Sequence, residues 1–360
     1  MIYYIDEERE KRNTAGAKAP DDIAEICRRA GYTRIVLPYM AITKSSPRQK
    51  VWIYFTCEKF WRGVMKTVKE GDVVIFQHPT YGKRSSIKMI PKIREKKKCR
   101  FVAVIHDLES LRGGIKGVVR DNRKTNTLGD TVLLKEFDAV ICHNDHMKQY
   151  MISQGFDENK LVSLELFDYL SDVHREPADK SEKPSIAIAG NLAPGKCGYI
   201  YKIKDENKNK DLTVNLYGNR YDETQAKGEL NYRGSFKPEE LPAYLDGDFG
   251  LVWDGPEDTT CAGNTGNYLR YNNPHKTSLY LSCNMPVVIW SEAALADFIR
   301  KNHAGITVDK LEDLSEAIRN VSEDEYKEIC GNIEKISERL HRGAYFTEAL
   351  DKALQILGAK

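Results

Sequence analysis

Short apolar runs, rich in β-branched residues, recur at 2–5, 34–38, 73–76, 101–105, 137–142 and 161–167. After a break they resume at 185–190, 212–217, 249–253, 286–290 and 305–308. Each is too short for a helix, and longer amphipathic or polar segments separate them. Near-continuous apolar strands alternating with helices signal parallel sheets covered on both faces. Between the two series lies His174-Arg-Glu-Pro-Ala-Asp-Lys-Ser-Glu-Lys-Pro184, charged, apolar-poor and closed by proline. It reads as a linker. The expected fold class is therefore α/β, with two Rossmann-like domains at 1–172 and 185–340, a linker at 173–184 and a last helical stretch in 341–360. A chain of 360 residues is long enough for two such cores.

The eight cysteines are scattered, with no Cys-x-x-Cys spacing. That pattern points to reduced thiols in a cytoplasm and away from a disulfide framework or zinc site. No signal peptide opens the chain, and no apolar run is long enough to span a bilayer. Charge is unevenly placed: residues 1–172 hold 31 Lys and Arg against 23 Asp and Glu, the remainder 24 against 30. A basic half and an acidic half suit different partners. The segment 83–100 carries nine basic residues and one acid, Glu95, with Ile87, Met89, Ile90, Pro91 and Ile93 as apolar anchors. Such a segment suits an anionic membrane surface, although a solvated helix face has the same composition. No aromatic residues interleave its lysines, which argues against nucleic acid. A helix at 49–69 presents Val51, Trp52, Phe55, Trp61, Val64, Met65 and Val68, expected as a core stripe with Trp52 or Trp61 at its edge.

Chemistry concentrates where apolar runs end. Asn272 and Asn273 are good N-caps, Pro274 suits a first helical position, and Lys276 falls in the first turn. Free backbone N–H groups, a positive dipole end and a lysine make an anion site. A capped αβ unit with a surface lysine is the ordinary alternative. After 101–105 comes His106-Asp-Leu-Glu-Ser-Leu-Arg112, where Asp107 or Glu109 could deprotonate a hydroxyl, with His106 beside them. Asp107 could equally cap the next turn. The small-residue loop 13–19 follows the first strand, so Thr14, Gly16 and Lys18 could meet phosphate or sugar. Lacking Gly-x-Gly-x-x-Gly, it is a poor dinucleotide loop and reads otherwise as a glycine turn. His78 ends another run and is more often structural than substrate-binding in such a place. His143 and His146 lack further metal ligands, so Asn144 or Asp145 is read as a helix N-cap. Asp246-Gly-Asp248 precedes its strand and is rejected as a metal motif, whereas Asp254-Gly255 follows it and faces the cleft.

Asn273-Pro-His-Lys276 with Tyr280-Leu281 and Pro286-Val-Val288, together with the His106–Arg112 run, resembles bacterial GT-B glycosyltransferases. The resemblance is to the group of β-1,6-galactofuranosyltransferases and the glucosyltransferases that extend sugars on serine-rich adhesins, and it covers most of the chain. It implies a GT-B fold, with the acceptor mainly on the N-terminal domain and a UDP-sugar mainly on the C-terminal one. By the same resemblance, the diphosphate sits at Asn273 and Lys276 and at the loop Gly190-Asn-Leu-Ala-Pro-Gly-Lys196, through Asn191 and Lys196. The 231–236 loop, with Gly234 and Phe236, reads the base, and the loop with Thr14 and Gly16 faces the donor. The last helix is expected to cross back onto the first domain. The implied activity is transfer of a hexose (glucose, galactose or galactofuranose) from a UDP-sugar to a lipid- or protein-linked glycan acceptor. No metal or other cofactor is expected, and the missing Glu-x7-Glu pair favours inversion. Peripheral attachment to the inner face of the plasma membrane and homo-oligomers fit the group. A UDP-sugar epimerase and a non-catalytic interaction protein are the alternatives.

Overall fold

The computed structural model describes residues 1–8, 16–40, 46–113, 128–204 and 208–359. Its first sheet comprises β1 (Ile2–Glu7), β2 (Thr33–Leu37), β3 (Val73–His78), β4 (Arg100–Ile105), β5 (Ala139–Cys142) and β6 (Leu161–Ser163), in the order β2-β1-β3-β4-β5-β6. The second comprises β7 (Ser185–Asn191), β8 (Thr213–Asn219), β9 (Asn231–Gly234), β10 (Phe249–Val252), β11 (Val287–Trp290) and β12 (Gly305–Val308), in the order β12-β11-β10-β7-β8-β9. Every pairing is parallel. The apolar runs become strands because both faces are covered: β3, β4 and β5 are buried along almost their whole length. Asn231–Gly234, read from the sequence as a loop, is an edge strand instead. Its residues, the middle two exposed and the outer two half-buried, lack the apolar continuity that betrays the interior strands.

Strand order reverses between β1 and β3 in one sheet and between β7 and β10 in the other. In open parallel sheets such points open crevices beyond the strands' C-terminal ends. Here the ends of β4, β7, β8 and β10, and the turn after β1, all border one cleft between the sheets.

One core serves the second sheet, and two cores sandwich the first. Helices Pro47–Thr67 and Lys83–Lys97 fill one face, and helices Lys18–Arg29 and Ala344–Ile356 fill the other. The last helix therefore packs on the N-terminal sheet, with Phe346, Leu350 and Leu354 against Tyr4, Ile75 and Val104. Asp168 fixes its start, accepting hydrogen bonds from the backbone N–H of Tyr345 (3.1 Å) and Phe346 (2.7 Å). Asp248, just before β10, ties down the end of the linker by accepting from Ser181 N, Ser185 N and Ser185 Oγ at 2.7–2.8 Å, so its carboxylate is structural.

Two expectations about helices change. In Pro47–Thr67, Cys57, Trp61, Val64 and Val68 point inward, but Val51, Trp52 and Phe55 lie on the opposite side and are exposed. At 100° per residue these two sets cannot share one face, so the expected core stripe is two stripes. The basic segment folds into helix Lys83–Lys97, whose Met89, Ile90 and Ile93 are spent on the protein core. Lys83 pairs with Glu109, Lys88 with Glu58, Arg94 with Glu136, and Arg100 with Asp138. Its anchors are thus unavailable to a membrane. Among the described residues no helix is long and apolar enough to cross one.

Trp61 anchors the first core, stacked on Phe76 at 6.1 Å, with Nε1 donating to Ser86 Oγ at 3.0 Å. Trp61→Ala should cost about 3–5 kcal/mol by urea unfolding, from lost transfer energy plus the cavity. Trp61→Phe should cost less, because most of the ring volume stays.

Candidate active site

The cleft between the sheets has a volume of about 470 Å³, within the range of small-molecule sites. On the C-terminal side, Gly190-Asn191 ends β7 and Gly218-Asn219-Arg220 ends β8. The two strand ends approach so closely that a Cβ on Gly218 (φ +150°) would lie 1.7 Å from the Gly190 carbonyl oxygen. Only glycine permits that approach. Asn191 Oδ1 accepts from Ala193 N (3.1 Å), turning the chain into the short helix Pro194–Cys197 that carries Lys196. Arg220 holds a left-handed backbone (φ 63°) beside it.

The N-terminal wall is His106, Asp107 and Arg112, with Gly16 and Lys18 from the turn after β1. Asp107 pairs with Arg112 at 2.6 Å. Burial raises the Asp107 pKa above the ordinary carboxylate range, while Arg112, the Tyr268 hydroxyl and Lys196 oppose the rise. Tyr268 belongs to the other domain, and its hydroxyl also accepts from Leu108 N at 2.9 Å. His106 Nε2 lies 2.7 Å from Gln77 Oε1, and its ring stacks on Phe167 at 5.6 Å.

Several cleft cations are already neutralised. Lys18 Nζ donates to Asp22 (2.5 Å) and to the Leu170 carbonyl (2.6 Å). Lys276 Nζ donates to Asp254 (2.9 Å) and to the Trp253 carbonyl (2.8 Å). Burial pulls the Lys276 pKa down, but Asp254 outweighs it and the net shift is upward. Lys196 and Arg220 form no salt bridge among the described residues. Three neutral atoms on the cleft wall, Asn219 Oδ1, Asn272 Oδ1 and His275 Nε2, are buried without a protein partner among the described residues. Burial, with Lys18 nearby, pushes the His275 pKa down to about 3, so its ring is neutral.

The residues singled out by sequence divide. Gly16, His106, Asp107, Asn191, Lys196, Phe236, Asn273 and Lys276 line the cleft. Thr14 lies outside the described residues. Gly234 is one residue from the lining Ser235 but is not itself on the wall. Glu109 is turned away, in an ion pair with Lys83, because one turn of helix Glu109–Arg112 swings it off the strand tip. Asn273 is a clamp, not a free cap. Its N–H donates to His143 Nδ1 (2.8 Å), its amide donates to the His143 and Glu165 carbonyls, and its Oδ1 accepts from Asn144 (2.7 Å). The N-cap of helix His275–Ser282 is Pro274. His78 is buried against Asp130 at 2.9 Å, away from the cleft. His143 and His146 part company, the second pairing with Asp297. Asn144 caps helix Asp145–Ser153, with Oδ1 accepting from Met147 N. Among the described residues no three His, Cys, Asp or Glu side chains converge as metal ligands. Sequence reasoning missed Arg220, Tyr268 and the three unpartnered atoms; only the Gly218-Asn219 strand end hinted at Arg220.

Two Rossmann-like domains facing each other across their strand ends form the GT-B fold. Over its full length the fold matches sucrose-phosphate synthase from Thermosynechococcus elongatus, with TM-score 0.68, 11% identity and coverage of 100% of this chain and 99% of that one. The chain belongs to the glucosyltransferase 3-like family: residues 2–166 match its N-terminal domain and 186–353 its C-terminal domain. It is 39% identical over 267 residues to the β-1,6-galactofuranosyltransferase WbbI of Escherichia coli K12, covering 72% of this chain and 73% of that one. It is 24% identical over 345 residues to glucosyltransferase 3 of Streptococcus gordonii, covering 94% of both chains. It is therefore a glycosyltransferase.

Lys276 and Asp254 are 12% and 9% exposed. Removing one partner of such a pair strands the other charge, so Lys276→Met should destabilise the fold by about 3–5 kcal/mol. Lys276→Met with Asp254→Leu should recover part of that loss in chemical denaturation.

Proposed function

We propose that the protein transfers a hexose from a UDP-sugar to an acceptor glycan, with inversion and without a metal ion. The observation that carries this reading is the opposition across one cleft of Asp107 on the N-terminal wall and Lys196 and Arg220 on the C-terminal wall, two cations with no salt bridge among the described residues. The relatives' named activities on galactofuranose and glucose support the hexose.

The C-terminal wall takes the donor. Lys196 and Arg220 receive the diphosphate, supported by backbone N–H groups at the start of helix His275–Ser282. Phe236, stacked on Tyr244 at 4.4 Å, offers the base an apolar wall. Asn219, Asn272 and His275 supply neutral hydrogen-bonding atoms for sugar hydroxyls. Lys276 contributes indirectly, by holding Asp254 and the strand end.

Asp107 takes the acceptor proton. The freed oxygen forms its bond to the anomeric carbon as the bond to the diphosphate breaks, and UDP leaves with the electron pair. Attack opposite the leaving group inverts the centre. Burial raises the Asp107 pKa, which strengthens it as a base, while Arg112 and the Tyr268 hydroxyl oppose the rise and hold the carboxylate in place. The two cations stabilise the leaving diphosphate in place of a metal. The acceptor is a lipid- or protein-linked glycan on the N-terminal side. Eight unpaired cysteines suit a reducing cytoplasm.

Asp107→Asn should lower kcat by about 10²–10⁴-fold with UDP affinity near normal. The acid limb of the kcat/KM profile should follow Asp107, activity falling as pH drops through its raised pKa. Arg112→Gln removes a stabilising charge and should move that limb to higher pH. Unchanged activity in Asp107→Asn would remove the base assignment.

Lys196→Ala and Arg220→Ala should each weaken UDP binding by about 1.5–3 kcal/mol in calorimetry. Turnover in excess EDTA should equal turnover with magnesium, and UDP release should require the acceptor, which separates transfer from epimerisation.

A further inference from the structure

Helix Pro47–Thr67 carries an outer face that nothing among the described residues covers. Val51, Trp52 and Phe55 are 55%, 50% and 61% exposed, although buried apolar residues were available to fill the inner face. At 100° per residue, Arg48, Val51, Trp52, Phe55, Lys59, Arg62 and Lys66 fall within one sector about 100° wide. From Arg48 to Lys66 this stripe runs about 27 Å along the helix. Its middle is aromatic and aliphatic, and its ends are cationic. The helix contains one acid, Glu58, which is buried and holds Lys88 (3.0 Å) and Arg62 (3.5 Å). Arg48, Lys59 and Lys66 form no ion pair among the described residues.

We propose that this face docks on an anionic lipid bilayer, with the helix lying in the plane of the interface. Trp52, Phe55 and Val51 enter the headgroup boundary, and the flanking cations meet acidic headgroups. Charge chooses between occupants. A second copy meeting the face symmetrically would bury the apolar centre but set these cations against their own equivalents, a repulsion that an anionic surface replaces with attraction. An anionic surface answers both the apolar centre and the positive ends. This surface is separate from the cleft and does not depend on the proposed transfer reaction.

Trp52 makes the test direct, because the other three tryptophans, Trp61, Trp253 and Trp290, are 2%, 0% and 1% exposed. The full chain is titrated with vesicles of phosphatidylcholine plus phosphatidylglycerol and with pure phosphatidylcholine, at low and high salt. The expected result is a blue shift of tryptophan emission and co-flotation with the anionic vesicles only, both weakened by salt. Trp52→Phe should abolish the shift but keep flotation. Trp52→Ser with Phe55→Ser should abolish flotation. Lys59→Gln with Lys66→Gln should lower partitioning by about fivefold per cation removed. Circular dichroism should match the parent in all variants, since every changed side chain is on the solvent face. Flotation that ignores lipid charge, a shift that survives in Trp52→Phe, or no association at all would overturn the proposal. So would self-association without lipid that Trp52→Ser with Phe55→Ser removes, because the face would then join copies of the chain.

Discussion

The two halves of the active site are held in register by Asn273. Its backbone N–H and all its amide hydrogen-bonding groups are spent across the domain boundary, on His143, Glu165 and Asn144. The His143 imidazole can accept from Asn273 because burial keeps it neutral, its pKa pushed down to about 3. Ser278 Oγ, donating to the Phe167 carbonyl at 2.6 Å, ties the same helix to the same crossover. The helix that closes the donor side is thus fixed to the end of the first sheet before any ligand arrives. Preorganisation of this kind lets cleft charges act without paying for reorientation.

Within that frame, ion pairing sorts the basic residues into two roles. Lys18 and Lys276 are buried beside carboxylates and act as structural ties, because a buried charge without a partner is costly. Lys196, on the short helix after β7, and Arg220, just past β8, are at least partly exposed, so water can solvate their charge, and neither forms a salt bridge among the described residues. Arg112 stands between, offsetting part of the rise that burial imposes on the Asp107 pKa. The same sorting governs the basic helix Lys83–Lys97, where local carboxylates consume charges that composition alone would assign to a partner.

The N-terminal domain shows how one helix can serve two environments. The side of Pro47–Thr67 that bears Trp61 completes the core, and the side that bears Trp52 leaves it. Aromatic content does not distinguish them; angular position does.

Sequence by itself determined the α/β class, the two-sheet division and every strand except the edge strand Asn231–Gly234. Continuous apolar runs require cover on both faces, and that requirement is local and cumulative. It also marked Asp107 and Lys196, because a strand's C-terminal tip in a parallel sheet opens on a crevice wherever the helices lie. Tertiary structure alone decided which marked residues remain chemically free. Asn273 looks like a cap until His143 and Asn144 arrive from 130 and 129 residues away to consume it. Glu109 reads as a free carboxylate until Lys83 pairs with it, and Lys276 reads as a free cation until Asp254 does. Arg220 gains its place only when Gly218 and Gly190 bring two strand ends together. Propensity and periodicity are carried by neighbours in the chain, whereas charge pairing and desolvation depend on neighbours in space.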